Sequence, residues 1–158
     1  MAEFSIASLS EKVLIDIYRY WEKKKGAREY ILWEQVDAVE IPRYALPHII
    51  VAEMLPDGDF FYRLTGTQVD QLIGVVPQGK RLSQLPLDRC EELRTDFQSV
   101  IDNLEPQVFS FPISTAANRY RETTRLVLPA ASSVGRVDMI FGAVSYSDPE
   151  RQTTARFS

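Results

Sequence analysis

The chain has 158 residues, is 45% apolar and 25% charged, and carries a formal net charge of −4. That length predicts one domain with its own core, and the composition excludes disorder and collagen-like repeats. The mild acidity argues against a nucleic-acid or anionic-membrane surface, and the lone Cys90 excludes an internal disulfide. No apolar run reaches the ~18–20 residues of a membrane span, and residues 1–8 show no secretory leader, so a cytoplasmic protein is expected.

The first predicted element is an amphipathic helix. Ser8 and Glu11 have capping-box spacing, and Leu9, Val13, Leu14, Ile17, Tyr18 and Trp21 then recur at three- and four-residue steps. Lys23, Lys24 and Lys25 suit the negative end of the helix dipole, and Gly26 is a natural terminator. The same lysines are also compatible with an acidic partner or a phosphate surface. Pro42 and Pro47 then fix an irregular stretch. A period of two follows from Ile49 to Met54 and from Phe60 to Leu64, joined by a Pro56-Asp57-Gly58-Asp59 turn: a hairpin.

A short helix is predicted over Gln68 to Ile73, closed by Gly74, and a longer one over Leu87 to Leu104, with Asp88 and Glu91 as caps and Pro106 as the stop. Cys90, Leu93, Phe97, Val100, Ile101 and Leu104 share one face of it, which reads Cys90 as a small core residue. Three strands complete the chain, Val108 to Ser114, Tyr120 to Leu128 and Val137 to Tyr146, the first two joined by a turn at Ala117-Asn118. Residues 149–158 lack any periodic apolar pattern and read as a loose tail.

This order predicts an α+β fold: a five-stranded antiparallel sheet with short helices and one long helix on one face, plus the N-terminal amphipathic helix. The expected organisation is a helical segment over 1–29, a domain over 30–148 and the tail. The last strand is apolar on both sides, with Ile140 and Val144 on one and Val137, Met139 and Phe141 on the other. Both faces of the sheet must therefore be covered.

Ile41-Pro42-Arg43, Leu46-Pro47-His48, Tyr62-Arg63-Leu64, Gly66-Thr67, Gly79-Lys80-Arg81-Leu82 and Arg136-Val137-Asp138-Met139 occur in that order. Together they resemble a PAS-related family of short alphaproteobacterial proteins, over about Leu14 to Tyr146. The resemblance implies the PAS fold and a role in bacterial signalling as a sensor or interaction module. It brings no catalytic residues with it.

Within PAS domains, flavin light sensors use a reactive cysteine just after the short helices, and haem sensors usually use a histidine on the long helix. Residues 79–87 contain no cysteine, and the only histidine, His48, precedes the first strand. Neither cofactor is expected; a small apolar ligand is compatible with the sequence. Lyases and isomerases of similar architecture need a carboxylate or His–Asp pair inside an apolar cavity. Here Asp138 and Glu122 are lone strand carboxylates, read as solvated or ion-paired, and Ser132-Ser133 has no base beside it. An enzyme of that kind is the alternative reading.

A ligand in this fold would lie between the sheet and the long helix. Gly142 removes a side chain from the face of Ile140 and Val144, which points that face inward. Keeping Glu53 and Arg63 in water turns Ala52, Met54, Tyr62 and Leu64 inward, and the same rule selects Leu126 and Leu128 over Arg125 and Val127. Phe97 and Ile101 would roof the site. The opposite face offers Met139 and Phe141 to the stripe of Leu9, Val13, Ile17 and Trp21. That contact can form within one chain or between two copies, and the aromatic stripe favours a homodimer.

Overall fold

In the computed structural model, which describes residues 9–114 and 120–147, the apolar stripe of the first helix is buried against the chain's own sheet. Helix α1 spans Lys12–Lys25 and ends at Gly26. Its N-cap is Glu11, with no side-chain cap; Ser8 lies outside the described residues. Leu14, Ile17 and Trp21 are almost wholly buried, each worth about 1.5–3 kcal/mol of apolar transfer. The Trp21 indole N–H donates to the Pro129 carbonyl at 2.9 Å, which satisfies the one polar atom this contact buries.

The strands are β1 (Ile31–Leu32), β2 (Ile49–Met54), β3 (Phe60–Thr65), β4 (Gln107–Ser114), β5 (Tyr120–Ala131) and β6 (Met139–Ser147). They form one sheet in the order β1-β5-β6-β2-β3, with β4 also paired to β5. Every pairing is antiparallel except that of the two-residue β1, which runs parallel to Ala130 and Ala131. The five expected strands are all present. The sixth, β1, is too short to leave a periodic signal.

Helix α2 (Thr67–Ile73) and helix α3 (Cys90–Asn103) cover the inner face. Gly74 closes α2 with φ +89°, a left-handed conformation that a β-carbon would strain. Helix α3 starts after Arg89 rather than at Leu87, and Asp88 does not cap it: its carboxylate accepts from the Ser114 N–H of β4 at 3.0 Å. The hairpin turn at Ala117-Asn118 lies outside the described residues, as does the 149–158 tail.

The sheet therefore separates two apolar cores. The inner one joins α2 and α3 to Ile50, Ala52, Phe60, Tyr62, Val127, Ile140 and Val144. The outer one joins α1 and the 31–46 segment to Ile49, Val51, Leu126, Leu128, Met139, Phe141 and Ala143. All of the stripe and sheet residues expected to meet do so: Leu9, Val13, Ile17 and Trp21 with Met139 and Phe141. The cover expected from a second copy is supplied within the chain. Val137, expected on that face, precedes β6 and packs against the inner core.

Candidate functional site

Between the inner face and α3 lies a cavity of about 30 Å³, roughly the room one or two water molecules need. Its walls include Ile50 of β2, Tyr62 of β3, Phe97 of α3, and Arg125 and Val144 on β5 and β6. Period-two alternation places these side chains. Ile50, Ala52 and Met54 share one parity on β2, and Ile140 and Val144 do on β6. Phe97 reaches the same space from the middle of α3 and meets the Phe60 ring edge-on at 5.2 Å.

Of the residues expected to form a pocket, Ala52, Met54, Tyr62, Phe97, Ile101, Ile140 and Val144 all lie in or against the inner core. Only Tyr62, Phe97 and Val144 among them line the cavity. Four expectations are corrected. Leu126 and Leu128 face the outer core, and Arg125 and Val127 face inward, the reverse of the polar-outward rule.

Leu64 packs on the outer side because the β2–β3 register slips there: Ala52 faces Tyr62, but Val51 faces Leu64, so Arg63 is an extra residue. Such a bulge inverts the parity beyond it. Exposed on that bulge, Arg63 donates to the Glu53 carboxylate at 2.8 and 2.5 Å. Gly142 leaves no space at all. A β-carbon there would collide with the Leu126 carbonyl oxygen, so the glycine serves a close approach of β5 to β6.

Arg125 is the residue that sequence reasoning missed. It is 4% exposed, its Nη2 lies 3.6 Å from the Asp96 carboxylate on α3, and its guanidinium carbon lies 5.9 Å from the centre of the Phe109 ring. Burial lowers its pKa to about 10, with Asp96 and then Tyr62 pulling it back up. Burial likewise raises the Tyr62 phenol well above the ordinary tyrosine range, and the charge of Arg125 works against that rise. Desolvation raises the Asp96 carboxyl, with Arg125 lowering it. Arg125 shares parity with Val127 within a strand that is apolar on both faces, and that shared parity was the available signal.

The remaining chemical candidates lie away from the cavity. Asp138 accepts from the Ser132 N–H at 3.0 Å and from the Ser132 hydroxyl at 2.9 Å, which ties it into the β5–β6 loop. Glu122 is exposed and accepts from the Tyr120 hydroxyl at 2.6 Å. His48 holds its Nδ1 2.9 Å from the Val144 carbonyl oxygen, which pins the 46–48 turn to β6. Cys90 packs against the inner core with its thiol near the Leu82, Leu85 and Leu87 carbonyls, and burial raises its pKa. Among the described residues, no group of three or more His, Cys, Asp or Glu is placed to hold a metal ion.

The PAS domain family model matches residues 9–145. No protein of curated function matches the sequence. Among solved structures, VqmA of Vibrio cholerae, crystallised with ligand and DNA, aligns at 13% identity and TM-score 0.54, over 64% of this chain and 46% of that one. This chain thus spans about half of VqmA. A light-oxygen-voltage domain studied with a flavin analogue aligns at 11% identity and TM-score 0.51, over 72% and 87% of the two chains. The PAS domain of a protein from Colwellia psychrerythraea aligns at 12% identity and TM-score 0.50, over 73% and 99%. At such identities these likenesses speak to the fold.

Proposed function

This chain belongs to the PAS domain family, and from that premise we propose that it is a cytoplasmic sensor and adaptor of bacterial signalling. It acts by binding, not by catalysis: a small ligand on the inner side of the sheet, and a protein through α1 and the outer side.

The observation that carries this reading is the placement of the cavity and α1 back to back on the same two strands. Along β5, Arg125 faces the cavity and the next residue, Leu126, faces the outer core. Along β6, Val144 faces the cavity and Ala143 faces the outer core. Interiors packed at crystal density transmit such shifts instead of absorbing them. Repacking around a ligand would therefore reach α1 across one strand thickness. VqmA supports the ligand half of the reading, since it has been crystallised with one. The net charge of −4 favours a protein partner over nucleic acid.

Among the described residues no helix is long and apolar enough to cross a membrane. The carboxylates that a lyase or isomerase would use, Glu122 on β5 and Asp138 in the β5–β6 loop, are occupied by hydrogen bonds, and this argues for binding. Homodimers would form by two copies exchanging α1.

Native mass spectrometry of the purified protein tests the reading most directly, because it reports a retained ligand and the oligomeric state together. A bound small molecule, or a protein captured only when α1 is present, is the expected result. The sample should be colourless, and a near-stoichiometric flavin or haem band would overturn that part. Turnover of a metabolite that dies with Asp138→Ala, with no ligand and no partner, would replace the proposal with the enzyme.

A further inference from the structure

Strand β4 lies at an edge of the sheet: it pairs with β5, and among the described residues nothing pairs with its other side. Two residues near its end show which backbone groups face that free side. The Ser114 N–H points away from β5 to the Asp88 carboxylate, 3.0 Å away, and Pro112 has no N–H. In an antiparallel pair every second residue turns its N–H and C=O outward, so Val108 and Ser110 share the free side with Pro112 and Ser114. A proline or a charged side chain keeps an edge from pairing, and here both guard only the second half of the strand. The first half stays open. It offers the N–H and C=O groups of Val108 and Ser110, and neither N–H has a partner among the described residues.

Beside that open half, between β4 and α3, lies a surface cleft of about 390 Å³ lined by Phe109, Thr95, Glu91, Glu92 and Asp96. Three of these five residues are acidic and none is basic. Glu91 and Glu92 accept from Arg94 and Arg89 at 2.6 and 2.7 Å, in each case through Oε2. Exposed pairs of this kind contribute only ~0–1 kcal/mol, and a carboxylate accepts at both oxygens, so a further cation finds acceptors here. Asp96 stays with Arg125. Phe109 points to the α3 side, and the residue opposite it in an added strand would point there too, ~4.5–5.5 Å away. A second copy of this chain is a poor occupant. Gln107–Ser114 contains no lysine or arginine, and pairing two β4 strands would bring two sets of carboxylates together. Antiparallel pairing is the more stable per residue. We propose that the open half of β4 takes an extended segment of a partner protein, added antiparallel, with a lysine or arginine opposite Phe109 that reaches the Glu91 and Glu92 carboxylates. Main-chain bonds to Val108 and Ser110 supply affinity, and the basic side chain supplies selectivity. This contact is separate from α1 and from the inner cavity.

The test is titration of the whole protein with a blocked heptapeptide, Thr-Val-Thr-Arg-Thr-Val-Thr, followed by amide NMR. In the protein alone the Val108 and Ser110 amides should exchange freely with solvent. They should shift and become protected as the peptide is added. A peptide with glutamate in place of the arginine should bind at least about tenfold more weakly, equivalent to ~1.4 kcal/mol. Glu91→Gln combined with Glu92→Gln should weaken the arginine peptide several-fold and narrow the gap between the two peptides. Ser110→Pro removes one edge donor and should abolish binding. If that variant does not fold, the same point is tested on the wild type with a peptide N-methylated at the two threonines that flank the arginine. It keeps the charge, loses the donors to β4, and should not bind.

Equal binding of the arginine and glutamate peptides would overturn the proposal, because the cleft would then select no charge. Equal binding of the N-methylated peptide would overturn it as well, leaving charge attraction without strand addition. So would protection of the Val108 and Ser110 amides before any peptide is present. Loss of that protection on dilution would name a second copy as the occupant, and loss on removal of residues 149–158 would name the chain's own C-terminal segment. If no peptide moves the β4 amides, the edge is closed and the proposal falls.

Discussion

The two faces of the sheet are built from the same strands and differ in what they bury. The outer core is hydrocarbon throughout, and the few polar atoms at its margin find partners: Trp21 donates to Pro129, and Tyr20 to the Gln35 carbonyl at 2.9 Å. The inner core holds an arginine, a tyrosine and a cavity. A dry face with every polar atom matched is what stability alone selects. Burying a charge beside a void costs free energy that apolar packing would not have cost. The contrast is one of packing: the outer face holds α1 on the domain, and the inner face keeps a buried charge and a small cavity.

The largest effect should come from removing residues 1–25. Leu14, Ile17 and Trp21 leave the outer core together, and their combined transfer energy is comparable with a whole domain's stability of about 5–15 kcal/mol. Aggregation or a changed oligomeric state on size-exclusion chromatography is expected. A soluble, monodisperse product with an unchanged melting temperature would break the comparison at its root.

Single truncations should then cost similar amounts on both sides. Ile17→Ala in the outer core should lose about 2–5 kcal/mol and Phe97→Ala in the inner core about 3–5 kcal/mol, read from urea midpoints. The two sides should part at the arginine. Arg125→Met together with Asp96→Leu replaces the whole pair by hydrophobes, so stability should hold or rise by about 1–4 kcal/mol. A clear loss would make the guanidinium a structural group like Trp21.

The smallest effect is alkaline. Burial raises the Tyr62 pKa in the folded state above its unfolded value near 10, so the folded protein keeps a proton the unfolded chain releases. The stability Tyr62 contributes is complete below pH 10 and is lost as the pH climbs beyond it. Tyr62→Phe should flatten the decline of the urea midpoint between pH 10 and 11.5 and leave its slope at neutral pH unchanged.

Most of the fold was legible because long periodic segments carry it: the stripe of α1, the face of α3 and the alternation of β2 and β6. The site was legible only where alternation ran undisturbed. At Leu64 one bulged residue inverted the parity, and a bulge at Arg63 leaves no local mark in a run of residues all suited to a strand. Leu126 and Leu128 were misplaced for another reason. β5 is apolar on both faces, so its phase hung on whether Arg125 sits in water, and packing against Asp96 and Phe109 overrode that expectation. At Gly142 a missing side chain marked contact between backbones, which sequence cannot distinguish from open space.

The bond between Trp21 and Pro129 joins residues 108 apart in the chain, and that interval has a meaning on the ribosome. Helix α1 emerges first, but Leu126, Leu128, Met139 and Phe141, which it must cover, emerge last. At roughly 5–20 residues per second, an apolar stripe containing Trp21 waits several seconds for its binding surface to be synthesised. The nascent chain is therefore most vulnerable to misassociation early, and its N-terminal helix should be the segment that holdase chaperones contact during translation. Crosslinking on stalled chains, positive before residue 141 is exposed and lost after it, would follow that handover directly.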